Sequence, residues 1–131
     1  MIKRTLGFLV MMAFLVPVTA QDQTAMEDMF LEAEYFFMKE DYQDALINYL
    51  QLHDKMPDNQ NLDFRIGVCY LNTPGKKNLS VGYLEAASKN ISAKHKEGTL
   101  SQVSAPYEAL YELGKAYRIN YMFDTAKDSF K

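Results

Sequence analysis

The chain has 131 residues, with 17 acidic and 14 basic side chains and a net charge of −3. That length suits one small domain, and the acidic balance argues against nucleic acid as a main partner, since phosphate binding leans on clustered Lys and Arg. Cys69 is the single cysteine, so an internal disulfide is excluded.

Residues 1–20 read as a signal peptide. Met1-Ile2-Lys3-Arg4 is a short basic start, Leu6 to Val18 is apolar apart from Gly7 and Pro17, and Val18-Thr19-Ala20 supplies small residues for cleavage before Gln21. A membrane anchor is the alternative reading. The apolar run, however, is shorter than the ~20 residues of a span, and Pro17 interrupts it. No cysteine follows the cleavage point to carry a lipid. The leader takes Lys3 and Arg4 with it and no acid, so the mature chain, 21–131, is more acidic still.

From Asp22 onward the pattern predicts helices only. Met26, Met29, Phe30, Ala33, Phe36 and Phe37 follow three-to-four spacing over Asp22–Lys39. Asp41 reads as a cap for a helix over Tyr42–Lys55, with Ala45, Leu46, Tyr49, Leu50 and Leu52 inward. Pro57-Asp58-Asn59 ends it. A third helix is predicted from about Gln60 to Asn72, a turn at Thr73-Pro74-Gly75, and a fourth over roughly Lys77–Lys89. A fifth spans about Ala105–Asn120, with Pro106 in its first turn, and a sixth starts near Phe123. Cys69, between Val68 and Tyr70, reads as a small buried residue.

Three stretches of these helices share one register. Ile66-Gly67-x-x-Tyr70 and Leu113-Gly114-x-x-Tyr117 are the clearest copies, and Glu32-Ala33-x-x-Phe36 is a looser one. Ala45, Leu79 or Ala126 follows each closing aromatic, and then Tyr49, Tyr83 or Phe130. Ala45 to Leu79 is 34 residues, the period of a helix-turn-helix repeat. Antiparallel helices approach closely only at small side chains, so Ala33, Gly67 and Gly114 are expected at the crossings. Glycine inside a helix costs about 1 kcal/mol relative to alanine, and a packing role would offset that.

This pattern resembles the tetratricopeptide repeat. The resemblance implies an all-α fold, a short right-handed α-solenoid with repeats at about 26–59, 60–93 and 107–131. The third would be incomplete, which reads as a truncated chain or one completed by a partner. Glu32 stands where the family has a large apolar residue, as suits an exposed end. Leu79 replaces the usual alanine, so the second pair is expected to be splayed or shifted. The interval from Leu79 to Ala126 is 47 residues, about 13 more than the repeat period. The excess falls in an insertion, 94–106, expected to be a solvated linker or, alternatively, a binding loop. Lys94-His95-Lys96 within it reads as a solvated basic patch.

A narrower resemblance rests on the leader, Asp41-Tyr42-x-x-Ala45-Leu46, Gly67-Val68-Cys69-Tyr70-Leu71, Tyr83-Leu84-Glu85-x-Ala87 and Ala105-Pro106-x-x-Ala109-Leu110-Tyr111-x-Leu113-Gly114-Lys115-Ala116-Tyr117. Together these look like the amino-terminal part of a Bacteroidetes envelope family. In it, helical repeats precede a β-propeller and an OmpA-like domain, and some members are linked to type IX secretion. The resemblance implies an exported, periplasmic or outer-membrane-associated scaffold with protein partners and only indirect membrane contact. A glycan-binding outer-membrane accessory protein is the alternative; the lack of Trp and of a lipidation cysteine counts against it.

No catalytic, cofactor or metal constellation is apparent. His53 and His95 lack a second ligand at helical spacing, and Gly75-Lys76-Lys77 lacks the strand and the hydroxyl of a phosphate loop. What remains is a surface. The first helix of each pair would line a concave groove with Phe30, Glu34 and Phe37, then Phe64, Val68 and Leu71, then Tyr111, Lys115 and Arg118. An apolar stripe edged by charge suits an extended peptide or a partner helix. The same aromatics are alternatively covered by the chain's own loop.

Overall fold

A computed structural model describes residues 18–129, with side chains for residues 20–121. Most of the expected leader, and the register positions Ala126 and Phe130, therefore lie outside the described side chains. The described chain is all-α. It comprises α1 (Val18–Met38), α2 (Tyr42–Lys55), α3 (Gln60–Leu71), a 3₁₀ turn (Lys77–Leu79), α4 (Ser80–Ala87) and α5 (Glu108–Ser129). No strand occurs among the described residues, only an isolated parallel bridge between Ile91 and Ala105.

Helices α1 and α2 run antiparallel. Asp22 meets Lys55 at one end, Phe30 and Phe37 both meet the Tyr49 ring in the middle, and Phe37 meets Tyr42 at the other end. Ala33 and Ala45 are fully buried, as their small size predicts. The tight connection depends on Glu40, which takes a positive φ of 62°. Asp41 N–H donates to Phe36 C=O and Glu40 N–H to Phe37 C=O, the paired bonds of a Schellman cap. Asp41 occupies the cap position of α2, but its side chain makes no capping bond. Asn59 does cap α3, its Oδ1 accepting from Leu62 N–H at 3.0 Å.

Helices α3 and α4 form the second pair, and Gly67 sets their approach. A Cβ placed there would lie 2.5 Å from Leu84 Cγ and 3.3 Å from the Leu84 backbone nitrogen. The register thus marks a real close crossing here. Leu84 is itself fully buried. Two clusters make up the core. One joins Phe30, Ala33, Tyr49, Leu52, Leu62, Ile66 and Cys69 across α1 to α3. The other joins Phe64, Val68, Leu71, Leu84 and Ala87 to Ala105, Ala109 and Ala116 of the last segment.

Four expectations are corrected. Helix α4 is shorter than Lys77–Lys89, because Lys77–Leu79 wind into a 3₁₀ turn; Leu79 is 45% exposed there, too large for the alanine position it replaces. Helix α5 starts at Glu108 rather than Ala105. Ala105 is engaged instead with the preceding strand-like segment, its N–H donating to Asn90 C=O at 2.8 Å. The sixth helix does not separate from the fifth: α5 runs unbroken to Ser129. No Gly or Pro lies between Tyr117 and Ser129 to break it. Finally, Gly114 is exposed, and a Cβ there would meet nothing within 4 Å among the described residues.

The insertion is the largest departure. It is a packed loop, not a solvated linker. Leu100 joins the first core cluster, Asn61 N–H donates to Val103 C=O at 2.9 Å, and Ser92 N–H donates to Ala105 C=O at 3.0 Å. His95 is half-buried, its Nε2 donating to Asn61 Oδ1 at 2.9 Å. It therefore belongs to the packing rather than to a solvated basic patch, while Lys94 and Lys96 on either side stay exposed.

Candidate interaction surface

The nine predicted groove residues separate into a buried set and an exposed set. Phe30, Phe64, Val68 and Leu71 are all buried and offer no surface. Leu100 of the insertion shares the core cluster of Phe30, and Ala105, Ala109 and Ala116 belong to the cluster holding the other three. Phe37 is half-buried and packs against both clusters. These residues are therefore packed within the chain, by the insertion and by α5.

Glu34 is not a free flank charge either. Arg65 Nη2 donates to Glu34 Oε2 at 2.9 Å, and Arg65 Nε sits 2.9 Å from Oε1 as an ion pair without hydrogen-bond alignment. Tyr49 O–H donates to the same carboxylate. The guanidinium carbon lies 4.5 Å from the Phe37 ring centre and 5.7 Å from that of Phe64. Burial, with the Glu34 charge next, pushes the Tyr49 phenol far above its ordinary range. Such a low-dielectric setting makes the ion pair dependent on its partners. It ties α1, α2 and α3 together. Arg65, on the buried α3, carried no signal in the sequence beyond being a charge within an apolar helix.

A second polar contact joins α2 to α3. His53 Nε2 donates to Asp63 Oδ1 at 2.9 Å, and the His53 ring stands edge-on to Tyr83. Burial raises the Asp63 carboxyl, and the His53 contact opposes that rise. An open depression of about 370 Å³ lies beside them, lined by Pro57, Leu79, Gly82 and Ala86 as well. That lining holds no Ser, Thr or Cys side chain for a His–Asp pair to activate, and burial raises the pKa of its Tyr83 phenol. Cys69 is buried, and desolvation pushes its thiol up to about 12, which makes it inert. Among the described residues no group of three His, Cys, Asp or Glu side chains is placed to hold a metal, and no helix is long and apolar enough to cross a membrane.

The exposed set lies on α5. Tyr111 is 69% exposed, and Leu110 and Tyr107 beside it are also open to solvent. Lys115 is held by Glu112 at 2.8 Å and stands over the Tyr111 ring at 5.2 Å. Arg118 is exposed. Leu110, Tyr111, Gly114, Lys115 and Arg118 line a shallow depression of about 380 Å³. Compared with protein-family models, with curated proteins and with solved structures, the chain matches none. The surface is therefore interpreted from its own residues. Tyr107 and Leu110, which the groove prediction passed over, were visible in the sequence as further apolar positions on the helix stripe of Tyr111 and Gly114.

Proposed function

We propose that this chain is a non-enzymatic protein-interaction module of the bacterial cell envelope, built on helix pairs of the tetratricopeptide kind. Support for the repeat comes from two antiparallel pairs, α1 with α2 and α3 with α4, and from the close crossing at Gly67. Support for export comes from residues 1–20, with their basic start, apolar run and small cleavage residues.

The observation that carries the interaction reading is the α5 face. Tyr107, Leu110 and Tyr111 lie exposed in one stripe beside Gly114, with Lys115 and Arg118 on its border. Tyrosine and arginine are favoured at the energetic centre of interfaces. The binding surface is thus the last helix rather than a groove spanning three repeats.

Affinity capture from envelope extracts tests this reading. The full chain should retain a defined set of proteins, and the double variant Tyr111→Ala/Arg118→Glu should lose it while keeping its helical circular dichroism. Retention of polysaccharide with no specific protein would favour the glycan-binding alternative and overturn the proposal.

A further inference from the structure

The insertion closes on itself and is fastened to one residue of α3. At its base, Ser92 N–H donates to Ala105 C=O at 3.0 Å and Ala105 N–H to Asn90 C=O at 2.8 Å, so the bridge between Ile91 and Ala105 forms a neck. Residues 93–104 arch out from that neck in the manner of an Ω-loop, turning at Gly98, where φ is 68°. The arch is braced internally: Lys96 N–H donates to Gln102 Oε1 at 3.0 Å, and Gln102 Nε2 to Ser104 C=O at 3.1 Å. Both of its arms reach Asn61, in the first turn of α3. His95 Nε2 donates to Asn61 Oδ1 and Asn61 N–H to Val103 C=O, each at 2.9 Å. Between the arms, Leu100 enters the cluster of Phe30, Leu62 and Ile66.

One of these two fastenings can gain a charge near neutral pH. His95 Nε2 carries the proton of the neutral ring, so a second proton goes to Nδ1 and makes the ring a cation. The groups that face it are Arg65, one turn beyond Asn61 on α3, Glu34 of α1, Glu108 of α5, and Glu97 of the arch itself. The three carboxylates favour the cation. Burial and the Arg65 charge disfavour it and prevail, holding His95 below its ordinary range. Swinging the arch outward about its neck gives the ring water and takes it away from Arg65. The released form therefore takes up the proton more readily than the fastened one.

We propose that the insertion is an acid-released strap: protonation of His95 frees residues 93–104 from Asn61 and withdraws Leu100 from the core, while the neck and the helix pairs stay folded. The strap is fastened above the ordinary histidine range, about pH 6.5. Below it, the fastened form weakens by at most about tenfold per pH unit, the limit for one proton. The device does not depend on what the chain binds.

Native-state hydrogen exchange of the full chain tests this, read residue by residue by NMR and corrected for the intrinsic pH dependence of amide exchange. The Asn61 amide is the reporter, since its acceptor is Val103 C=O. Its protection should lie below that of the buried α2 residues Tyr49 and Leu52. It should also stay flat in dilute urea, because the opening exposes little surface. Between pH 6.5 and 5.5 it should fall severalfold, up to about tenfold. His95→Gln, whose amide can still donate to Asn61, should abolish that fall, and His53→Gln should leave it in place. Asn61 protection equal to that of Tyr49 and Leu52, with the same urea slope, means that only global unfolding opens the segment and overturns the strap. A fall that is absent from the parent chain, or that persists in His95→Gln, overturns it as well.

Discussion

Two glycines share a register position, yet alanine should act on them with opposite sign. At Gly67 the new methyl would meet Leu84 Cγ at 2.5 Å and Cδ2 at 2.8 Å, closer than carbon atoms pack, with the Leu84 backbone nitrogen behind at 3.3 Å. Leu84 is fully buried and has little room to turn away. Overpacking of this kind costs about 1–3 kcal/mol, while replacing a helical glycine by alanine returns about 1 kcal/mol. Gly67→Ala should therefore destabilise by up to about 2 kcal/mol. At Gly114 nothing among the described residues lies within 4 Å of the new methyl, so only the helix propensity remains, a gain of about 0.5–1 kcal/mol. Thermal unfolding followed by far-UV circular dichroism should show Tm lowered by several degrees for the first variant and raised for the second. A double-mutant cycle sharpens the cause. Leu84→Ala alone should cost about 2–5 kcal/mol, and in that background Gly67→Ala should become favourable. A rise in Tm for Gly67→Ala in the parent chain would refute the close crossing of α3 and α4.

Three further outcomes follow from contacts described above. Arg65→Ala should destabilise by about 3–5 kcal/mol in urea unfolding, because it strands the Glu34 carboxylate between Tyr49 and the core; Arg65→Met/Glu34→Leu should recover much of that loss. His95 is held below its ordinary pKa, first by desolvation and then by the Arg65 charge. Its unfolded form therefore protonates first as pH falls through about 6.5, and stability should decline from there toward the folded pKa; His95→Gln should flatten that part of the urea-midpoint profile between pH 7.5 and 5.5. Glu40 holds a positive φ of 62°, so Glu40→Gly should stabilise by about 1 kcal/mol, read as a higher Tm.

Much of the helical scaffold was legible from the residues, because its determinants are local. Asp41 and Pro57 bracket α2, whose bounds coincide with the predicted Tyr42–Lys55. Gly67 and its aromatic neighbours announced a close crossing, and α3 and α4 meet there. What escaped depends on long-range partners. Leu100 is a lone apolar residue in a polar segment, with no periodicity to mark it as core, yet it joins the buried cluster of Phe30. Phe64, Val68 and Leu71 read as a groove because helical spacing shows which residues share a face, not what covers that face. The break expected near Phe123 was carried over from the repeat register rather than from a turn residue, and α5 continues through it. Glu34 and Arg65 are 31 positions apart, and only the packing of α1 on α3 makes them a pair.

That pair bears on how the molecule opens. In an array of helix pairs, each unit can in principle fray while its neighbour stays folded. Arg65 bridges that boundary, since releasing α1 from α3 would take both the Glu34 counter-charge and the Phe37 ring away from its guanidinium. The amides in the middle of α1 and α3 should then exchange with solvent through one shared opening event rather than two.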